Sequence, residues 1–413
     1  MTQPHRSLLS VEAAKQQILA AMPALTESHC VDLRSALQRI LAEPIIAPIN
    51  SPPYHQSAMD GYALNSADLP ATAPDNTCFP VVGTAWAGTP FTGPLQPGDC
   101  VRIMTGAPLP APLDTIIMQE QTERSADQIR LKTRPKAGDN VRYCGEDIAQ
   151  GSTVLAAGQA LWPPQIGLLA SLGIAEVKVL RKLKVAFFST GDELRPLGAS
   201  LAAGQIYDSN RYTLQALLSR LNVEVFDLGV IADQLDAIRE ALHTAATLAD
   251  VVITSGGVSV GEADFVKNAL AELGQVDFWK IAMKPGKPLA FGQIGNARFF
   301  GLPGNPVSVM ATFYQLVQPA LLQQMGLIHC DPPLRLQVLC TTPLEKSPGR
   351  TDYQRGILQT DATGKLSVKT TGLQSSGALS SMSQANCFIV LPAEWGPVAA
   401  GTLVEVEPFV GII

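Results

Sequence analysis

The sequence predicts a chain of α/β plus β class with several domains: a central, mostly parallel α/β sheet domain, an inserted small β domain and a C-terminal small β domain. Three observations carry this. The length, 413 residues, suggests roughly two to four domains. Between residues 182 and 328, strand-like and helical segments alternate, the pattern of a parallel sheet with crossover helices. On the N-terminal side (48–150) and the C-terminal side (329–413), short β-prone pieces between Gly/Pro turns replace that alternation.

In order along the chain, Ser10 is placed to cap a helix carrying Val11, Ala14, Ile18 and Met22 on one face, and Asp32 to cap a second with Leu33, Leu37, Ile40 and Leu41. Pro44 and Pro48 break the pattern. Strands are expected at 79–82, 100–104, 115–118 and 128–131. A helix begun by Pro163-Pro164 and closed near Gly173 is too short to be a domain. It packs beside the N-terminal helices, so that 1–47 and 151–181 form one split helical domain and 48–150 is its insertion. In the central region, strands are expected at 184–189, 224–231, 250–254, near 276–283, 288–294 and 297–301. Helices are expected at 210–221, 236–248 and 264–273. A long helix follows Asn305-Pro306, with Val309, Phe313, Leu316, Val317 and Ala320 on one face. No internal repeat is evident.

Composition narrows the function classes. Apolar residues make up 46% and charged residues 16%, against a usual charged share of ~25%, enough to fill several cores. The net charge is −6, from 30 Lys+Arg and 36 Asp+Glu, which argues against a nucleic-acid coat. No apolar run long enough for a membrane span exists, and the first residues carry no signal-peptide h-region. The seven cysteines contain no CxxC, and the five histidines do not cluster. Structural zinc is therefore not expected, and a reducing cytoplasm fits.

In an open α/β sheet, ligands bind at the carboxyl ends of the strands. Here one strand runs into Ser189-Thr190-Gly191-Asp192-Glu193. A second runs into Ala232-Asp233, and a third into Thr254-Ser255-Gly256-Gly257, with Asp264 in the next loop. Glycines and consecutive N–H groups suit a phosphate. Carboxylates repel one unless a cation such as Mg²⁺ bridges the two. Lys280, Lys284 and Lys287 add cations, and the loop 301–308, with Pro303, Gly304, Asn305, Pro306 and Ser308, opens the longest helix as an anion cradle. Each feature also has a plain reading as turn, solvated lysine face or helix cap, and the pattern alone leaves both open. No P-loop, GxGxxG or GxSxG motif occurs. The loops at 57–63, 104–110 and 145–147 read as turns by physics alone.

Taken together and in order, SAMDGYA (57–63), RIMTGAPLP (102–110), NVRYCGEDI (140–148), STGDEL (189–194), IYDSNRY (206–212), SGGVSVGEADF (255–265), MKPGKPLAFG (283–292) and GLPGNPVSV (301–309) resemble the MoeA family of molybdopterin molybdenumtransferases, whose relatives include the E domain of gephyrin. GRTDYQRG (349–356) and ANCFIVLP (385–392) extend the resemblance over nearly the whole chain. It implies an elongated homodimer of four-domain subunits, with the split domain serving dimerisation. It implies a reaction on adenylylated molybdopterin and molybdate, promoted by Mg²⁺ or a similar ion, in which the phosphoanhydride is cleaved, AMP leaves and molybdenum enters the dithiolene.

By motif, the resemblance implies that Glu193, Asp233 and Asp264 hold the metal and pyrophosphate, and that Lys280 and Lys284 bind phosphate or molybdate, with Lys287 beside them. Thr190, Ser255, Gly256 and Gly257 cradle phosphate or pterin, and Pro303 and Pro306 shape the anion loop. Asp60, Thr105, Arg142 and Asp147 reach the same cleft from the partner subunit. The molybdopterin adenylyltransferase and downstream cofactor-handling proteins are implied partners. The chain departs from the family's pattern at His55-Gln56, Pro112 and Tyr143-Cys144. Two other readings stand beside this one: an adenylyltransferase, which consumes ATP, and a non-catalytic scaffold that carries a pterin or anchors a peptide.

Overall fold

Two segments of near-continuous apolar sequence lie at the centre of the molecule. Lys184–Thr190 and Val251–Ser255 are buried along almost their whole length, as parallel strands covered on both faces must be. They belong to a six-stranded sheet in the order Glu224–Ile231, Lys184–Thr190, Val251–Ser255, Ala297–Leu302, Pro288–Ile294, Gly274–Lys280. The first four run parallel and the last two pair antiparallel. Neighbouring residues on a strand face opposite ways. Phe188, Val252 and Phe299 therefore meet the helices Leu235–Leu248 and Phe265–Leu273, while Phe187, Ile253 and Phe300 meet Ser209–Ser219 and the helical run from Pro306. The structure, a computed structural model, describes residues 8–70, 77–256, 265–328 and 332–409.

The long helix after Asn305 is interrupted. It runs as Pro306–Thr312, widens into a π turn over Phe313–Val317 and resumes as Gln318–Gln324. Pro319 has no N–H for the carbonyl four residues back, and the turn before it adjusts. Within that turn the buried Gln315 donates through Nε2 to Glu407 Oε1 at 2.6 Å.

The first expected helix is present as Val11–Ala21, with Ser10 Oγ accepting the Ala13 N–H at 3.1 Å. Its apolar face packs into the central core. The second expected helix does not form. Asp32 caps only a three-residue turn, Leu33–Ser35, and Gln38 adopts φ 60. The apolar stripe that predicted it is divided: Ile40 joins the central core, Leu41 joins another, and Leu37 stays exposed. The preceding residues Ser28–Asp32 form a strand instead, paired antiparallel with Glu176–Leu180. With the pair Ile45–Ile46 and Thr153–Leu155 and the helix Pro163–Ser171, this makes a small frame around Leu41, Leu161, Leu169 and Val179.

Between the two sides of the frame lies a curled six-stranded sheet, in the order Thr115–Met118, Gly61–Leu64, Cys100–Ile103, Cys78–Ala85, Gln128–Leu131, Thr122–Ser125. At the other end of the chain, Thr351–Thr360, Leu366–Thr370, Leu336–Cys340, Leu403–Pro408 and Cys387–Leu391 close into a five-stranded barrel, because the last pairs back with the first. The short strand Met283–Lys284 adds to it beside Thr351-Asp352. No helix among the described residues is long and apolar enough to cross a membrane.

Candidate functional site

The register brings the expected strand ends to one edge of the central sheet. Thr190 lies across from Ile231, Ser189 from Ser255, and Ser255 from Leu302. The two antiparallel strands return Lys280 and Pro288 to that same edge, since Ala290 pairs with Gly301 and Lys280 with Pro288. Asp264 and Gly257 lie outside the described residues.

Charge varies along this edge. At one end, the Asp233 N–H donates to Asp192 Oδ1 at 3.3 Å. Burial pushes the Asp233 carboxyl above its ordinary value, and repulsion from Asp192 and Glu193 adds to it. The Glu193 carboxylate folds back over Gly191, where a Cβ would stand 2.6 Å from Oε2. Glu193 and Asp233 are thus neighbours, and Asp192 joins them. Among the described residues, no three His, Cys, Asp or Glu side chains form a ready metal cage.

At the other end stand the lysines. Lys280 and Lys287 are exposed and flank a loop closed by the Ile281 N–H to Lys287 carbonyl bond of 2.7 Å. Lys284 reaches the barrel, its Nζ 3.2 Å from the buried Asp352 Oδ2. Lys346, 5% exposed, is capped by the Ser347 and Arg350 carbonyls. Burial lowers its pKa, Asp352 opposes this, and Lys284 and Arg350 push it further down. Lys284, Lys346 and Arg350 thus face Asp352 and Glu394 at this corner, which leaves a positive surplus.

Between the two ends the floor is made of hydroxyls and glycines. Ser189, Thr190 and Ser255 are buried. Gly256 has φ 92, and a Cβ there would stand 2.7 Å from the Thr190 carbonyl oxygen. Asn210 Nδ2 donates to Ser255 Oγ at 2.8 Å and to the Gly304 carbonyl at 2.7 Å, tying two loops together. In the loop 301–308, Pro303 and Ser308 are buried while Gly304 and Asn305 are exposed. The Val307 N–H is taken by the Ser376 carbonyl at 3.1 Å, so the barrel supplies one of the helix's terminal acceptors. Among the described residues, Ser189 Oγ, Asp208 Oδ2, Asn210 Oδ1 and Thr254 Oγ1 are buried with no hydrogen-bond partner. Buried orphans cost free energy, and these four lie at or beside this edge. Gly256→Ala is expected to destabilise the protein by about 1–3 kcal/mol, checked by urea denaturation; an unchanged midpoint would show that the turn adapts.

Asp60 and Thr105 adjoin strands of the curled sheet, Arg142 lies in a separate pair of Val141–Arg142 with Gln56–Ser57, and Asp147 lies in the loop that follows. Thr105 donates its N–H and its hydroxyl to Asp60 Oδ1, each at 2.8 Å, and holds that carboxyl below the usual range. Arg142 pairs with Gln56, the Gly106 N–H donates to the Ser57 carbonyl, and the Asp147 N–H donates to the Ser51 carbonyl. Three sequence motifs thus converge on one loop cluster. The hydrogen bonds described for these four residues stay within the inserted segment. His55 and Tyr143, two of the departures from the family's pattern, touch each other here.

Asp192, Asp208 and Asn210 were not among the expected site residues. Asp192 adjoins Glu193, and the other two lie in the segment IYDSNRY, so the motif signal was there. A cavity of about 610 Å³ opens beside Asp208 and Ser209, lined also by Tyr207, Tyr212 and Met310. A cavity of about 630 Å³, lined by Lys15, Arg220, Tyr314 and Glu407 among others, contains none of the expected residues.

The chain is similar to known proteins over nearly its whole length. Residues 9–173 match the family described as MoeA N-terminal region (domain I and II), residues 186–323 a probable molybdopterin binding domain, and residues 337–409 the MoeA C-terminal region (domain IV). A molybdopterin molybdenumtransferase of Haemophilus influenzae is 47% identical over 403 residues, covering 97% of this chain and 99% of its own. Gephyrin of Dictyostelium discoideum is 34% identical, covering 92% of this chain and 59% of its own. A solved molybdopterin biosynthesis moeA protein from Pyrococcus horikoshii superposes with a TM-score of 0.85 at 26% identity, covering 98% of this chain and 100% of its own.

Proposed function

The chain belongs to the MoeA family of molybdopterin molybdenumtransferases of molybdenum cofactor biosynthesis, and from that premise we propose that its sheet edge takes adenylylated molybdopterin and molybdate, cleaves the phosphoanhydride, releases AMP and leaves molybdenum on the dithiolene. The observation that carries this reading is the gradation of charge along one edge: carboxylates at one end, lysines at the other, and a floor of hydroxyls and glycines with orphaned polar atoms between. A diphosphate and an oxyanion are both anions, and a uniformly acidic edge would repel them.

Mg²⁺ suits the acidic end, because the donors there are hard carboxylate oxygens with no thiol or imidazole among them. Mg²⁺ also needs only one or two carboxylates when substrate phosphates supply the rest. Glu193, Asp233 and Asp264 would hold it, with Asp192 beside them, and it would compensate the charge of the diphosphate. Lys280, Lys284 and Lys287 take the oxyanion and phosphate. Thr190, Ser255, Gly256, Gly257 and the loop 301–308 orient the substrate. The soft ligands for molybdenum belong to the pterin, so the chain needs no cysteine cluster.

The loop cluster of Asp60, Thr105, Arg142 and Asp147 completes the cleft from a second subunit of a homodimer. In this reading the split segment 1–47 with 151–181 serves dimerisation, 48–150 is the inserted domain, 182–328 binds molybdopterin and 329–413 is the terminal domain. The setting is cytoplasmic. The test is to incubate the purified chain with adenylylated molybdopterin and Mg²⁺, with and without molybdate, and follow AMP by chromatography. Molybdate-dependent AMP release is expected. ATP consumption with pyrophosphate release would support an adenylyltransferase instead, and pterin binding without AMP release a scaffold.

A further inference from the structure

Near the loop cluster of the inserted domain, Tyr54, Met59 and Tyr143 are left in water, Tyr143 with 49% of its surface exposed. Tyr143 is nevertheless anchored through its backbone, one side of its ring and its hydroxyl end. Its N–H donates to Glu146 Oε2 at 2.7 Å, and its carbonyl accepts the Glu146 N–H at 3.1 Å. Its ring meets the His55 ring at right angles, with centroids 5.5 Å apart and planes at 81°. His55 is itself anchored, because Nδ1 accepts the Cys144 N–H at 3.0 Å. The Tyr143 hydroxyl lies over Gly138, which has φ 81 and where any Cβ would collide with that oxygen.

Ordering a side chain costs rotamer entropy, and a core residue recovers it through burial. Half of the Tyr143 surface recovers nothing. A ring that is held still and kept wet, one residue from the exposed Arg142 and within the three-motif cluster, is a presented surface. We infer that Tyr143 is a stacking platform for the planar heterocycle of the substrate, adenine or pterin, with His55 as the residue that sets the ring's angle. The inference rests on the molybdenum-insertion reading above. Stacking suits this position because every such heterocycle offers a π face and needs no dedicated hydrogen-bond set.

The test measures binding of AMP, neopterin monophosphate and ribose 5-phosphate to the full chain by calorimetry, for the wild type, Tyr143→Ala and Tyr143→Phe. Tyr143→Ala is expected to weaken the stacked ligand about tenfold and to leave ribose 5-phosphate unchanged, while Tyr143→Phe restores wild-type affinity. The ligand that responds, AMP or the pterin, identifies the heterocycle. In turnover, KM for the adenylylated pterin rises while kcat holds. Equal affinities in wild type and Tyr143→Ala would overturn the inference. So would a uniform loss for all three ligands, which would make the ring a structural support only. Failure of the underlying reading looks different, since it appears as absent AMP release by the wild type whatever Tyr143 does in binding.

Discussion

Glu193→Gln is expected to cut molybdate-dependent AMP release by roughly a hundredfold or more while leaving the fold intact and slightly more stable. The two effects have one cause. Burial, Asp192 and Glu193 all raise the Asp233 carboxyl above its ordinary value. A raised carboxyl favours the protonated form in the folded state, so at neutral pH the ionised cluster costs stability, and the cost fades as pH falls through the folded pKa. Removing the Glu193 charge relieves part of it. Asp233 is only partly buried, so the gain is no more than about 1 kcal/mol, visible as a small rise in Tm at neutral pH that shrinks towards pH ~4. The lost charge is also the one that would hold the divalent cation, and activity falls with it. Wild-type AMP release by the mutant would remove Glu193 from the site. A mutant less stable than wild type at neutral pH would remove the repulsion.

The second large effect is on folding. Asp250→Ala is expected to lower stability by about 3 kcal/mol. Asp250 accepts two bonds from Arg181, at 2.7 and 2.8 Å, and the Lys184 N–H at 2.9 Å. Both side chains of the pair are about one-fifth exposed. Arg181 also meets Glu27 at 3.1 Å, so the node joins the frame strand ending at Leu180 to the first strand of the central sheet. Burial works against the Asp250 carboxylate, but Arg181 and the Lys184 N–H outweigh it and hold its pKa below the usual range. A lowered carboxyl contributes stability that is present above its unfolded pKa, ~3.9, and is lost as pH falls through the folded value. The wild type should therefore lose this contribution only in strong acid, and Asp250→Ala should show a flatter acid limb. Urea titrations at neutral pH and below pH ~4 check both points; parallel acid limbs would count against the pair.

What the sequence revealed, and what it hid, follows from how local each signal is. The central strands were legible because burial on both faces writes an apolar run such as Val251–Ser255 into a few consecutive residues. The stripe at Leu33, Leu37, Ile40 and Leu41 misled because periodicity records that residues are apolar and not which core receives them; here they divide between two cores and solvent. Ser28–Asp32 was hidden for the complementary reason. Its partner, Glu176–Leu180, lies far along the chain, and no local window contains both. At the site, Glu193 and Asp233 stood out as acids at strand ends. Asp208 and Asn210 did not, because a helix cap on the Arg211 N–H and a loop tie look like ordinary turn chemistry until the fold sets Asn210 against Ser255 and Gly304.

The frame that carries the curled sheet has its exit and its re-entry side by side. The Ala47 N–H donates to the Ser152 carbonyl, and the Gly151 N–H to the Ala47 carbonyl, each at 2.9 Å. To the frame, the whole intervening stretch is a single long loop, and lengthening a loop is cheap: each doubling adds only about 0.6 kcal/mol of closure entropy. To the inserted stretch, the frame is a clasp that holds its two ends at one spot. Exchanging the stretch for a different module is therefore expected to leave the remainder of the chain folded, and two adjacent attachment points bar the stretch from spinning about either one.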